Sequence, residues 1–213
     1  MIRLGGGATE PTGSTATASY FEATDARMLD LQDLDIGSVA PLVLPPIAGT
    51  PRMVWQGGKA GVSYLFNRDD LGGAGGQLFQ ARYFSGGNFG AAATWSNGTQ
   101  TYVFAPGRGT RAGCSGSGGV MALRVNGSAL ATAWCSGSVS NPSGPAVSSN
   151  GNNNGVLWVA GSSPATLRAV DIATGIEIFA DAPPSVRQWT PVVVADGRVY
   201  VTGARTVSLY TTR

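Results

Sequence analysis

Gly144-Pro-Ala-Val-Ser148, Val156-Leu-Trp-Val159 and Leu167-Arg-Ala-Val-Asp171 follow one another within residues 144–171. Each is a short apolar run bounded by Gly, Pro, Ser or Asn, which is how a strand between tight turns reads. The same order recurs upstream, as Ala91-Ala-Ala-Thr-Trp95, Thr101-Tyr-Val-Phe104 and Val120-Met-Ala-Leu-Arg124. Further upstream it recurs as Pro41-Leu-Val-Leu-Pro45, Met53-Val-Trp55 and Val62-Ser-Tyr-Leu65. Downstream it returns as Thr190-Pro-Val-Val-Val194, Arg198-Val-Tyr-Val201 and Val207-Ser-Leu-Tyr210. Leu78 to Tyr83 reads as a fourth, outer strand of the first unit, whereas the last unit stops after its third strand.

A repeat of roughly fifty residues with several short strands per unit predicts an all-β chain, a β-propeller of four-stranded blades. About four blades are expected, a partial ring, over residues 39–85, 90–138, 143–181 and 188–213, the last incomplete. Residues 1–18 read as a flexible lead-in and 19–36 as a candidate outer strand, with one or two helical turns over Ala23 to Leu31. No window holds apolar residues at helical spacing for three turns. A β-sandwich, built from similar strands, is the alternative architecture.

Composition narrows the chemistry. Of 213 residues 32 are Gly and only 12% are charged, with a net charge of +2 and no basic run that could follow a phosphate backbone. Nucleic acid is therefore not an expected partner. No stretch approaches the length of apolar sequence a membrane-crossing helix needs. His is absent, which removes the Ser-His and Cys-His nucleophile pairs and the commonest zinc ligand. No catalytic residue and no metal site is assigned. Met1 to Gly7 has no apolar leader core.

Several residues carry candidate roles. Trp55, Trp134, Trp158 and Phe179 are expected to pack between blades, since a ring buries a large apolar area. Trp95 and Trp189 flank strand openers, near a propeller rim, and are candidate contacts for a ligand or partner. Arg108 and Arg111 lie in Pro106 to Gly119, read as the longest loop, and either are solvated loop charges or meet a carboxylate on a ligand or partner. Asp171, Thr174 and Gly175 are expected to form a structural turn, the Asp carboxylate accepting backbone N–H groups. Gly57-Gly-Lys-Ala-Gly61 leads into a strand and reads as a hairpin turn, with Lys59 either in solvent or paired with Asp69 or Asp70. Cys114 and Cys135 either close a loop of about twenty residues as a disulfide or are two separate buried thiols.

Arg168-Ala-Val-Asp171-Ile-Ala-Thr-Gly175 followed by Phe179 resembles the repeat of PQQ-like (quinoprotein-type) β-propellers. Gln56 to Gly61, Tyr64 to Asp69, Leu71-Gly-Gly73 and Leu34 to Ser38 fit the same family in order. The resemblance implies the C-terminal part of a seven- or eight-bladed ring. In the family's enzymes PQQ sits on the axis over Ca²⁺, above a tryptophan and beneath a disulfide of adjacent cysteines. This chain has no adjacent cysteines and no residues that match the Ca²⁺ ligands or the catalytic Asp. Other members are non-catalytic scaffolds of the bacterial envelope.

The expected function is accordingly a protein- or ligand-binding scaffold, periplasmic or extracellular, without a cofactor. Its expected partners are the remaining blades of a longer chain or a second copy closing the ring, with a protein or glycan as ligand. The alternatives are a fragment of a PQQ-dependent alcohol or sugar dehydrogenase, and a carbohydrate-binding or surface structural protein.

Overall fold

The computed structural model describes Met1 and residues 17–211. Most of the lead-in expected over residues 1–18 therefore lies outside the described residues, as do the last two residues of the fourth unit. Among the described residues the first strand is β1 (Phe21–Glu22), followed by the short helix α1 (Ala26–Leu31). The first blade is β2 (Leu42–Val43), β3 (Met53–Gln56), β4 (Val62–Asn67) and β6 (Phe79–Arg82), with β5 (Gly73–Ala74) between the last two. Blade two is β7 (Ala93–Ser96), β8 (Thr101–Arg111), β9 (Cys114–Asn126) and β10 (Ala129–Cys135). Blade three is β11 (Ala146–Asn150), β12 (Asn153–Ser162), β13 (Ala165–Asp171) and β14 (Glu177–Asp181). Blade four has three strands, β15 (Val193–Ala195), β16 (Arg198–Thr202) and β17 (Val207–Thr211).

Every blade is an antiparallel meander, so each strand pairs only with its sequence neighbours in the blade. The first strands β7, β11 and β15 lie side by side, and β6 lies beside β10 at the opposite edge. The sheets thus stack face to face in chain order, and the architecture is a partial β-propeller of about four blades.

Stacking explains the unbroken apolar runs. A strand covered on both faces must be apolar at successive residues, not alternate ones. Leu157 and Val159 of β12 face blade two, among Phe104, Val120 and Ala122. Trp158 and Ala160 of the same strand face blade four, with Val199 and Val201. Between blades one and two, Trp55 and Leu65 meet Val103, Met121 and Leu123.

Two expectations are corrected. Residues 19–36 do not form an outer strand of a blade. β1 pairs in parallel with β5, and Phe21 packs its ring on Tyr64 and Phe66 at 5.7 and 4.5 Å. With Leu71, and with Leu29 and Ile36 at the margin, Phe21 covers the face of blade one that points away from blade two. The buried Gln56 amide fastens this cover by donating to the carbonyls of Ile36 (3.0 Å) and Val39 (2.7 Å). Pro106 to Gly119 is likewise not a loop, because β8 and β9 extend as one long hairpin that turns at Ala112 and Gly113. Its glycines read as turn residues in sequence, yet several sit within the ladder, where the strands pass close to neighbouring backbone.

Candidate functional site: the groove beside blade four

One cross-strand row recurs in every blade. In blade one it is Leu42, Trp55, Leu65 and Phe79, each the register partner of the next. In blade two it is Ala93, Phe104, Ala122 and Trp134. In blade three it is Ala146, Trp158, Ala169 and Phe179. In each case the row faces the next blade, with an aromatic on the second and fourth strands. Blade four continues it with Val193, Tyr200 and Leu209, and among the described residues no strand pairs with β17 beyond Leu209.

The next blade hides this row where one exists. Trp55, Leu65, Phe104 and Ala122 are fully buried. In blade four Val193 is 48% exposed, Leu209 54% and Val207, on the same side, 63%. Sheet face and strand edge are thus both open at one place.

The edge also borders a groove of about 820 Å³ between blades three and four. Its floor is Val156, Trp158, Ala169 and Phe179, and Tyr210 and Thr211 form the wall on β17. The Trp158 indole N–H donates to Ser148 Oγ at 2.9 Å. The Phe179 ring lies tilted against Trp158 (6.1 Å) and edge-on to Tyr210 (5.9 Å). Tyr210 Oη donates to Asp181 Oδ2 at 2.7 Å. Burial first, and then the neighbouring Asp181 carboxylate, push the Tyr210 hydroxyl up to about 12.

That shift has a testable sign. Tyr210 is neutral in the fold at pH values where the unfolded chain, with its ordinary value of 10.0, has begun to ionise. Its contribution to stability is complete below about pH 10 and disappears as pH rises toward 12. Wild-type chain should lose unfolding free energy across that window, and Tyr210→Phe should lose less. NMR of ring-labelled tyrosine should show the Tyr210 resonance among those that titrate late, with Tyr64 and Tyr83, whose hydroxyls burial also pushes up, and Asp181→Asn should bring the Tyr210 resonance alone back toward the ordinary range.

The other singled-out residues fall in three places. Trp55 and Trp158 lie between blades, as described. Trp134 does too, and its N–H donates to the Ile172 carbonyl of blade three at 2.9 Å. Asp171, Thr174 and Gly175 form the turn between β13 and β14, where Asp171 Oδ1 accepts from Thr174 N (2.9 Å) and Thr174 Oγ1 (2.7 Å). Gly175 has φ +72°, and a Cβ there would stand 2.7 Å from Trp134 Cγ. This turn is therefore seated on the outer aromatic of the preceding blade.

Trp95 is half-buried between blades two and three, with its N–H given to the Gly151 carbonyl at 3.1 Å. Trp189 is 57% exposed on the approach to blade four. Arg108 lies over the Phe89 ring, 4.6 Å from its centroid, beside a polar cleft shared with Ser117 and Asn141. Arg111 is not a solvated loop charge but is buried, at 5% exposure. It donates to the carbonyls of Ser136 (2.7 Å) and Ser115 (2.6 Å), and burial lowers its pKa. Lys59 pairs with Asp33 (3.0 Å) and Asp35 (2.8 Å), not with Asp69 or Asp70, while Asp69 pairs with Arg52.

Cys114 and Cys135 form a disulfide between the start of β9 and the end of β10. Among the described residues no three His, Cys, Asp or Glu side chains converge. No described helix is long and apolar enough to cross a membrane.

No family model and no curated protein matches the chain. Solved structures do. The computationally designed protein Ika8 superposes with a TM-score of 0.54 at 16% identity, covering 81% of this chain and 46% of that one. The designed Ika4 gives 0.53 at 16%, covering 84% and 96%. BamB from Moraxella catarrhalis gives 0.53 at 12%, covering 82% and 46%. The chain spans about half the length of Ika8 and BamB and nearly all of Ika4. At these identities the likeness is one of fold.

The groove and the open row were not singled out in the sequence. Aligning Val193, Tyr200 and Leu209 with Ala146, Trp158 and Ala169 would have pointed to the row. Nothing in sequence could show it to be bare.

Proposed function

We propose that the chain is a non-catalytic β-propeller scaffold that binds a protein partner at its fourth blade. The observation that carries this reading is the Val193–Tyr200–Leu209 row, whose Val193 and Leu209 are exposed while the second- and third-strand residues of the matching rows, Trp55 and Leu65, Phe104 and Ala122, Trp158 and Ala169, are buried. A contiguous apolar sheet face beside an open strand edge is a surface built for another sheet or strand. The disulfide supports placement in an oxidising compartment such as the bacterial envelope, and the seated Asp171–Gly175 turn supports the likeness to PQQ-like repeats. A second copy could close the ring head to tail only by displacing Phe21 and its neighbours from blade one, because that face is already covered.

Selection of displayed random peptides against the chain tests the reading, with Leu209→Asp as counter-target. Leu209 is half-exposed, so the variant keeps its core. Binders that recognise wild type and not the variant are expected. A selection that yields none of them refutes the scaffold assignment.

A further inference from the structure

We infer that the buried Arg111 guanidinium and the cleft beside the Cys114–Cys135 disulfide form a binding site for a small oxyanion, a phosphate or a carboxylate. The site lies in blade two, so it is separate from the groove beside blade four and does not rest on the scaffold reading. The sequence around it carries charge of one sign. Between Asp70 and Asp171 stand Arg82, Arg108, Arg111, Arg124 and Arg168, and no Asp, Glu or Lys. The net charge of +2 hides this stretch, because the acids lie before and after it. Blade two therefore has no carboxylate side chain of its own. Arg168 finds a partner in Glu177, beyond the stretch, but among the described residues no ion pair includes Arg111.

Of the five arginines Arg111 is the one that is buried. An arginine in water needs no counter-ion, whereas a guanidinium taken out of water is costly until an opposite charge meets it. Arg111 donates to the carbonyls of Ser136 and Ser115, and its Nε–H has no hydrogen-bond partner. Carbonyls satisfy single N–H groups and bring no net charge. Glycines make the room for the head group: a Cβ at Gly116 would stand 3.2 Å from Arg111 Nη2, and one at Gly119 3.3 Å from Nη1. Ser115 and Ser136, which supply the two carbonyls, also line a cleft of about 280 Å³ with Arg111, Gly113 and both cysteines. That is room for an ion of a few heavy atoms. Guanidinium N–H groups form a rigid fork that matches the oxygens of a carboxylate or phosphate, and such an ion would supply the charge blade two lacks.

The test titrates inorganic phosphate and acetate separately into the full chain, at constant ionic strength held with sodium chloride. NMR follows the Arg111 Nε–Hε resonance and the amides of Gly113, Cys114 and Ser115. A saturable shift is expected with at least one anion, and the tighter of the two identifies the class. Arg111→Met should abolish saturation at the three amides. Gly113 supplies variants that keep the arginine: its φ is +76°, which Asn and Asp tolerate, and a Cβ there meets nothing within 4 Å. Gly113→Asn should bind as wild type does, whereas Gly113→Asp, which sets a carboxylate beside the cleft, should bind at least about tenfold more weakly. Glu10, the one acidic side chain outside the described residues, should be replaceable by Gln without effect. No saturable shift, equal affinity of the two Gly113 variants, or a response centred on Arg108 or Arg124 overturns the inference. So does a tenfold gain in affinity on Glu10→Gln, which would mean that the chain's own carboxylate already neutralises Arg111.

Discussion

Trp55→Ala should lower unfolding free energy by about 3–5 kcal/mol, the range for removing a large aromatic from a packed core. The indole is fully buried between blades one and two, flanked in its own sheet by Leu42 and Leu65 and faced by Val103, Met121 and Leu123. Sheets on both sides hold these neighbours in place, so the space left by the ring cannot collapse. Trp55→Phe should cost much less. It retains most of the apolar volume and removes an indole N–H that has no hydrogen-bond partner, so no acceptor is stranded. Leu209→Ala, at the equivalent row of blade four but half-exposed, should change stability by no more than about 0.5 kcal/mol. Urea unfolding of the three variants checks the order. Equal midpoint shifts for Trp55→Ala and Leu209→Ala would mean that these rows do not stack as described.

Replacing both cysteines with serine should cost about 3 kcal/mol, since the bond closes a loop across a separation of 21 residues and restricts the unfolded chain. The fold should survive, because the local geometry has a second tie. Arg111 donates to the carbonyls of Ser115 and Ser136, the residues that directly follow the two cysteines. Reductant should lower the urea midpoint of wild type to that of Cys114→Ser/Cys135→Ser and leave the variant unmoved. A wild-type midpoint insensitive to reductant would count against the bond's role. Arg111→Met in the serine background should then be more destabilising than in wild type, because it strands the buried Ser136 carbonyl in a hairpin that has lost its covalent link.

The strand order was legible because a blade is local. Each of its strands pairs with the one before it, so short apolar runs between Gly, Pro and Asn turns disclose sheet and sequence of pairing together. Trp55 and Trp158 stood out for the same reason, as large rings in runs with no polar face. Arg111 was misread because a charged residue among six glycines reads as loop, whereas the glycines let backbone approach closely enough to bury the guanidinium against carbonyls. Phe21 was misread because a two-residue strand has no periodicity, and its place is set by the Tyr64 and Phe66 rings that it covers.

Local pattern alone determined that this chain is a succession of antiparallel blades, since strand, turn and neighbour pairing are encoded within a few residues of one another. Only the tertiary structure decided which blade faces are covered. The row Val193, Tyr200 and Leu209 is as apolar as those of its three counterparts, and burial depends on what another part of a chain brings against it. At blade one that is Phe21, with Leu29 and Ile36 beside it. At blade four the described residues bring nothing, so the same physical pattern that makes a core elsewhere is left as an exposed apolar face there.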